Sequence, residues 1–337
     1  MKRLLRLLAG LTLLGMALGV HAGKLPRLTL AGPFAAVSFP LIHMVESGAL
    51  KDLAEQVEFV AWKDPDQLRV LAIEGRADFI AMPSNVAANL YNRGVRLQLL
   101  NVSTWGVLWL VSRDPELKTL ADFKGKEILM PFRADMPDLV FQTLAEKQGL
   151  DPKRDFKLRY VASPLDAMQL LITRRADHAL LAEPAVSVAL RKTQSFPVSV
   201  IAPDLYRSVD LQQEWGRLMQ RPARIPQAGV VALGQALADP VLIEKFQQAY
   251  AASLAWCEKQ PDECGKLVAK RADLLTPEGV ADSVRVDNAV FVTARDARPE
   301  LEFFFGQLLA RQPALVGGKL PDDGFYRPAA GAAERKP

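Results

Sequence analysis

The sequence predicts an α/β protein in which two lobes face each other across a cleft, followed by a helical C-terminal region. Short apolar runs alternate with helical patterns along most of the 337 residues, which is typical of α/β folds with mostly parallel sheets. One helix–strand–helix unit occurs twice. The pattern of the chain also changes near Arg113 and again near Gly229, which indicates two crossings between the lobes.

The repeated unit occupies residues 68–94 and 168–192. Each copy contains a helix, the triplet Arg-Ala-Asp, a short apolar strand, a proline and a second helix. A strand that runs directly into a helix start places free N–H groups and the positive end of the helix dipole at its carboxyl end, where ligands bind in open α/β sheets. We therefore expect Pro83 and Pro184 to lie at facing edges of one cleft.

The first lobe is predicted to begin with alternating strands and helices. Asp64-Pro65 marks a helix start, because an aspartate accepts bonds from free N–H groups and a proline fits the first turn. Ser84 is placed in the same way before a helix that stops at Gly94. In chain order we predict strand 24–31, helix 38–49, strand 57–62, a helix from 64, strand 79–82, helix 84–94 and strands 96–102 and 107–112.

The inserted lobe is predicted to follow the same alternation. Its elements are strand 126–132, helix 135–149, strand 156–162, a helix from 163, the second repeat copy, strand 198–203 and a helix over 204–220. The proline-rich segment 221–228 fits neither a helix nor a central strand. It leads to strand 229–233, and helices are predicted over 240–260, from 276 and over 298–312.

These elements divide the chain as follows. Residues 23–113 and 228–320 form a discontinuous first lobe, residues 114–227 form the inserted second lobe, and residues 321–337 form a partly disordered tail. Residues 1–22 have a basic start, an apolar run and a small-residue cleavage site after Ala22, as in a secretory signal peptide. We therefore expect a periplasmic protein, and we weigh an uncleaved membrane anchor as the alternative.

The two cysteines are read in that exported context. Cys257 and Cys264 are seven residues apart with Pro261 between them. On one straight helix they would be about 10 Å apart, which is too far for a disulfide. Pro261 is expected to break the helix and fold the second cysteine back. In an oxidising compartment such a pair predicts a structural disulfide.

Several classes of function are not favoured. The formal net charge is +4, three of those positive charges lie in the leader, and basic and acidic residues are interspersed, so no nucleic acid partner is expected. Neither a dinucleotide nor a phosphate-binding glycine loop follows a strand. The chain has only three histidines, and we expect it to bind no metal or cofactor and to have no enzyme activity. We also expect it to be a monomer.

A binding cleft is better supported, and its candidate residues follow predicted strands. Phe34, Trp62 and Trp105 could wall an organic ligand, and Arg133 could bind an anionic group. Trp62 could instead belong to the core, and Arg133 could pair with Asp135 or Asp138. The remaining candidates lie at helix starts: Pro83, Ser84, Asn85 and Glu183. Ser84 could offer its hydroxyl to an anion or simply cap its helix, and Glu183 could accept bonds from the following helix.

Four stretches carry a family resemblance: residues 68–78 (LRVLAIEGRAD), Pro83-Ser84, residues 120–126 (LADFKGK) and residues 175–184, from Arg-Ala-Asp to Glu-Pro. With them the chain from about residue 28 to 305 resembles the periplasmic solute-binding proteins of ABC importers. It is most similar to the nitrate, sulfonate and taurine group, which includes NMT1/THI5-like binders of thiamine precursors. The resemblance implies a type II-like periplasmic-binding-protein fold with the ligand between two lobes.

The resemblance further implies capture of a small solute and its delivery to an ABC permease at the inner membrane. The second-lobe loop Pro131-Phe132-Arg133 departs from the usual Gly/Ser-rich turn, so we expect a more apolar pocket, with Arg133 for one negative group. Two alternatives remain open. One is an exported accessory or sensor protein with this fold, and the other is a THI5-like pyrimidine-synthesis enzyme.

Overall fold

The computed structural model describes residues 24–201, 204–287 and 289–328. The predicted signal peptide lies outside these residues. The strands of the described residues are β1 (Leu25–Gly32), β2 (Ala54–Ala61), β3 (Phe79–Pro83), β4 (Leu97–Thr104), β5 (Leu108–Ser112), β6 (Glu127–Pro131), β7 (Lys157–Val161), β8 (His178–Ala182), β9 (Tyr206–Asp210), β10 (Ala228–Leu233) and β11 (Val292–Thr293).

Helices cover both faces of the sheets, so the predicted α/β class is confirmed. They are α1 (Phe39–Glu46), α2 (Pro65–Ile73), α3 (Ser84–Asn92), α4 (Met136–Lys147), α5 (Pro164–Ile172), α6 (Ala185–Gln194), α7 (Val198–Ile201), α8 (Leu211–Met219), α9 (Pro240–Lys259), α10 (Pro261–Ala269), α11 (Pro277–Val286) and α12 (Ala294–Arg311). The predicted caps act as expected at α2 and α5, where Asp64 and Ser163 accept bonds from backbone N–H groups of the first turn.

The strands form two separate sheets. The first has the order β11-β4-β10-β3-β1-β2 and the second has the order β7-β6-β8-β5-β9. Both sheets are mixed, but most strands of each sheet run in the same direction, as predicted. β10 runs antiparallel to β3 and β4, and β5 runs antiparallel to β8 and β9. Each of these strands is the first one after the chain passes between sheets, and it enters its new sheet from the opposite end.

The chain leaves the first sheet earlier than Arg113. β5, which the sequence analysis placed in the first lobe, pairs with β8 and β9 of the second sheet. The crossing segment is therefore residues 105–107. The return segment pairs with it, because the N–H groups of Ile225 and Gln227 donate to the carbonyls of Trp105 and Thr104, both at 3.0 Å. The two crossings thus lie side by side.

The strand predicted over residues 198–203 is wrong. Residues 198–201 form the short helix α7, where Val200 is 74% exposed. The strand of this region is instead β9, which lies within the segment 204–220 that was predicted to be helical. The helix α8 begins only at Leu211. The β-branched composition of residues 198–201 favours a strand locally, but in the structure it is β9 that pairs with β5.

The first part of the predicted tail, residues 321–328, is ordered and packs against the rest of the protein. Phe325 is fully buried in the main apolar core, and Tyr326 forms a bridge to Leu99 of β4. The N–H of Arg327 also donates to the carbonyl of Leu99 at 2.9 Å. This segment therefore covers the first sheet beside β4, and residues 329–337 lie outside the described part.

The C-terminal helices connect the two sheets at a third place. Cys257 of α9 and Cys264 of α10 form the predicted disulfide, with 5.1 Å between their Cα atoms. α10 and α9 pack against α1 beside the first sheet, whereas α11 packs against α6 beside the second. At that contact a Cβ on Gly279 would lie 2.9 Å from the Cα of Val188. The helices therefore approach so closely that only glycine fits there.

Candidate functional site

A cavity of about 800 Å³ lies between the carboxyl ends of the strands of both sheets. The loops after β1 and β2 and the end of β3 line it from the first sheet, and the segments after β6, β7 and β8 line it from the second. Pro83 and Pro184, the corresponding prolines of the repeated unit, both lie in its wall. The cavity therefore occupies the place where open α/β sheets bind ligands.

Aromatic side chains from both sheets meet in the wall of this cavity. Trp62 after β2 and Phe132 after β6 pack against each other, with ring centroids 6.4 Å apart. Trp62 is 4% exposed and its Nε1 donates to the carbonyl of Ala81 at 3.1 Å. Trp62 therefore belongs to the core and also lines the cavity, and its contact with a ligand stays a prediction. Phe34 also lines the cavity and lies 6.4 Å from Phe59.

Glu183 also lines the cavity, but its carboxylate is already bound. The residue is 2% exposed, Oε1 accepts from Nη2 of Arg207 at 2.7 Å, and Oε2 accepts from the N–H of Ser187 at 3.1 Å. The second bond is the alternative considered from the sequence, in which Glu183 serves the start of the next helix. Arg207 does not line this cavity, so it neutralises the Glu183 carboxylate from the side that faces away from the cavity.

Ser84 and Asn85 do not line the cavity. The hydroxyl of Ser84 donates to the carbonyl of Pro226 at 2.5 Å, and its N–H donates to the carbonyl of Gln227 at 3.0 Å. Neither group is therefore directed at a ligand, and the hydroxyl does not cap α3. Asn85 is 3% exposed and hydrogen-bonds to the carboxyl group of Asp135.

Trp105 and Arg133 also lie outside the lining. Trp105 belongs to the first crossing, where its Nε1 donates to the carbonyl of Val290 at 2.9 Å and the guanidinium of Arg224 stacks on its ring. Arg133 is exposed, and its Cζ lies 5.1 Å from the ring centroid of Tyr160. It pairs with neither Asp135 nor Asp138, so neither interpretation of Arg133 from the sequence matches its position.

Asp135, the N-cap of α4, is held by residues of both sheets. Its Oδ1 accepts from the N–H of Met136 at 2.9 Å, and its Oδ2 accepts from Nη2 of Arg69 of α2 at 3.1 Å. Burial raises the pKa of this carboxyl group, whereas the neighbouring Arg69 guanidinium opposes the shift. Together with Asn85, Arg69 makes a polar connection across the cleft.

Sequence reasoning missed Gln227 and Thr104, which line the cavity beside the crossings. Gln227 is 8% exposed, and its Oε1 accepts from the N–H of Val107 at 3.2 Å. Its Nε2 donates no hydrogen bond within the described residues, so this N–H donor is available to a ligand in the cavity. The only available sequence signal was the position of Gln227 at the end of the proline-rich return segment, directly before β10.

Another buried carboxyl group lies close to Glu183. Oδ1 of Asp287 is buried without a hydrogen-bond partner among the described residues. Burial, with the charges of Glu183 and Glu258 nearby, raises the pKa of Asp287 to about 7.

Among the described residues no group of histidine, cysteine, aspartate and glutamate side chains is suited to a metal ion, and no helix there is long and apolar enough to cross a membrane.

Comparison with solved structures reveals the same fold. The chain is similar to an ABC transporter protein from Parabacteroides distasonis (23% identity, TM-score 0.72, 90% of this chain and 99% of that one). It also matches the periplasmic aliphatic sulphonate-binding protein SsuA from Escherichia coli (14%, 0.64, 88% and 92%). A third match is the periplasmic nitrate-binding protein NrtA from Synechocystis PCC 6803 (13%, 0.67, 86% and 82%). No curated protein sequence matches the chain.

The family model described as "ABC transporter, phosphonate, periplasmic substrate-binding protein" matches residues 50–252. This range runs from the connection between α1 and β2 into α9 and includes most segments that line the cavity. The family resemblance inferred from the sequence and the two-lobed fold are thereby confirmed. This chain belongs to the periplasmic substrate-binding proteins of ABC transporters.

Proposed function

We propose that the chain captures a small organic solute in the cavity between the two sheets and delivers it to an ABC permease. The observation that carries this proposal is the cavity itself, because loops from both sheets line it at the carboxyl ends of their strands. A solute bound there contacts both lobes at once. It therefore favours the closed arrangement by its greater affinity for that state.

The lobes in this proposal differ slightly from those predicted. The first comprises residues 24–104 together with residues 228–328, and the second comprises residues 108–227, because β5 lies in the second sheet. The mature chain, after cleavage behind Ala22, acts as a monomer in the periplasm and carries out no covalent chemistry. The family and the similar structures are binding proteins of importers, which disfavours the sensor and pyrimidine-synthesis alternatives.

The test uses the mature chain purified from a periplasmic extract under native conditions. Native mass spectrometry is expected to detect a bound small molecule, and small-angle scattering is expected to detect expansion when it is removed. Ala162→Trp places a large side chain at the cavity wall, whereas the control Ala121→Trp adds the same group at an exposed site. Loss of the bound molecule in the first variant alone supports the proposal, and no bound molecule in the unmodified chain contradicts it.

A further inference from the structure

We propose that Thr104 and Gln227, where the two connections meet the first sheet, together bind one oxygen-bearing group of the solute. This inference rests on the proposed function, since both residues line the same cavity. It goes further by assigning two side chains that determine which solutes bind. The group is a hydroxyl, a carbonyl or one oxygen of an oxyanion, because each of these accepts hydrogen bonds.

The amide of Gln227 is held in one orientation by the first connection. Its Oε1 accepts from the N–H of Val107 at 3.2 Å. A backbone N–H bonds only to the oxygen of an amide, so Nε2 is the end that remains free. Nε2 has no partner within the described residues, yet part of its surface is accessible. Since Gln227 is 8% exposed and lines the cavity, its free N–H groups reach the cavity.

The hydroxyl of Thr104 is the matching group on the neighbouring segment. Thr104 is the last residue of β4 and is 4% exposed. Its Oγ1 has no hydrogen-bond partner within the described residues, and part of its surface is accessible. Because Thr104 lines the cavity, the cavity is the space that this small accessible area faces. A hydroxyl both donates and accepts, so Oγ1 complements the N–H donor of Gln227.

The other buried polar side chains of the lining already have partners. Both carboxylate oxygens of Glu183 accept hydrogen bonds, and the indole N–H of Trp62 donates to a backbone carbonyl. The remaining polar residues of the lining are half-buried or exposed, so water reaches them. A solute that fills the cavity displaces water from Thr104 and Gln227. It binds well only if it replaces the hydrogen bonds of that water.

This pair of groups, the hinge subsite, is built into the edge of the first sheet. Thr104 pairs with Ala228 in that sheet, and the backbone N–H of Gln227 donates to the carbonyl of Thr104 at 3.0 Å. The spacing of the two residues is therefore set within one lobe and does not depend on how far the lobes are apart. A solute that enters the open cleft meets a subsite that is already formed, so less free energy is lost in ordering side chains.

The first test is Gln227→Glu in the mature chain, with the co-purified molecule, once identified, as the probe in calorimetry at pH 8. The variant keeps an oxygen for the N–H of Val107 and turns the donor at the cavity into a carboxylate oxygen. We expect its affinity for the probe to fall by about 30-fold or more, because two acceptors then face each other. Unchanged or tighter binding overturns the inference.

Gln67→Glu is the matched comparison. Gln67 also lines the cavity and its Oε1 also accepts a backbone N–H, from Lys63 at 3.0 Å, but the residue is exposed. The same charge is therefore added where water and salt screen it, and we expect a loss of no more than about threefold. A loss as large as that in Gln227→Glu means that added charge alone weakens binding, which contradicts the inference.

The second test concerns the hydroxyl. Thr104→Val keeps the shape of the side chain and is expected to weaken binding by about three- to tenfold, whereas Thr104→Ser keeps the hydroxyl and most of the affinity. If both side chains bind one group, Thr104→Val combined with Gln227→Glu weakens binding by less than the product of the single effects. Full multiplication of the two effects, or equal losses in Thr104→Val and Thr104→Ser, overturns the inference.

Mass spectrometry of the co-purified molecule separates this inference from the proposed function. A bound molecule that contains a hydroxyl, carbonyl or oxyanion group is the expected result, and its identity shows which of the three groups the hinge subsite accepts. A bound molecule without any oxygen overturns the inference but leaves the proposed function intact. A chain without any bound molecule contradicts both.

Discussion

Nη2 of Arg69 lies 3.1 Å from Oδ2 of Asp135 and joins a helix beside the first sheet to the first turn of a helix beside the second. The aspartate side chain is 4% exposed and the arginine side chain 39% exposed. Removal of the arginine leaves a buried carboxylate without its cation, which is costly. We expect Arg69→Met to open the cleft and weaken solute binding by about tenfold, after allowance for the exposure of the arginine.

Small-angle scattering of the ligand-free chain and calorimetry with the co-purified solute measure this effect. Arg76→Met is the matched control, because Arg76 pairs with Glu74 near the end of the same helix and not across the cleft. Adding Asp135→Asn to Arg69→Met is expected to recover part of the loss, since no buried charge then remains. If the double variant opens further than the single one, the ion pair is not what connects the two sides.

Arg133→Ala is expected to leave solute binding unchanged, because Arg133 is exposed above Tyr160 and outside the cavity lining. Phe132→Ala, one residue earlier, removes an aromatic wall. It is expected to weaken binding of the co-purified solute by about tenfold through lost apolar contact. The two dissociation constants are compared by titration. A large loss with Arg133→Ala would restore the interpretation of this arginine as an anion contact.

Asp287→Asn is expected to stabilise the fold at pH 8 by about 2–4 kcal/mol, because the raised pKa of about 7 means that ionising Asp287 costs free energy in the folded state. A carboxyl group with a raised pKa favours the fold below its ordinary pKa, and this contribution is lost as the pH rises through 7. The advantage of the variant over the unmodified chain should therefore shrink towards pH 4. Urea unfolding at both pH values measures it, and Asp52→Asn, at an exposed site, is the control. An equal difference at both pH values rules the explanation out.

Reduction of Cys257–Cys264 is expected to lower the free energy of unfolding by about 2–3 kcal/mol, as the model of a short closed loop gives. Both cysteines are buried, at 2% and 0% exposure. The double variant Cys257→Ala and Cys264→Ala should be insensitive to reductant, which separates the bond from side effects of the reagent. Thermal unfolding with and without reductant provides the comparison. If reductant destabilises the variant by the same amount, the loss of stability does not come from the disulfide.

The elements and the position of the cleft could be predicted because their signals are local. Caps such as Asp64 and Ser163 and the two prolines of the repeated unit each act within a few residues. The crossing was misplaced because β5 is an ordinary apolar strand, and nothing in its own residues says which sheet it joins. The same limit explains residues 198–201, whose strand-like composition has no neighbouring strand to pair with.

The direction of side chains at the site was less predictable. Phe132 and Ala134 have φ angles of 56° and 59°, which are uncommon for residues other than glycine. These angles belong to the turn in which Phe132 lines the cavity while Arg133 does not. No residue type in Pro131-Phe132-Arg133 signals such a turn. Ser84 was misjudged for a related reason, because its partner Pro226 is 142 residues away in sequence.

The close packing of Gly279 on Val188 limits how the protein can open. The two adjacent connecting segments, residues 105–107 and 221–227, would by themselves form a hinge about which either lobe could rotate. The packing of α11 on α6 adds a second contact between the lobes, away from these two segments. Residues 271–274, just before α11, form part of the cavity wall. Separation of the lobes must therefore slide one helix along another, as in shear motions. Because a Cβ at Gly279 would lie 2.9 Å from the Cα of Val188, a bulkier residue there would push α11 away from α6 and hinder this sliding.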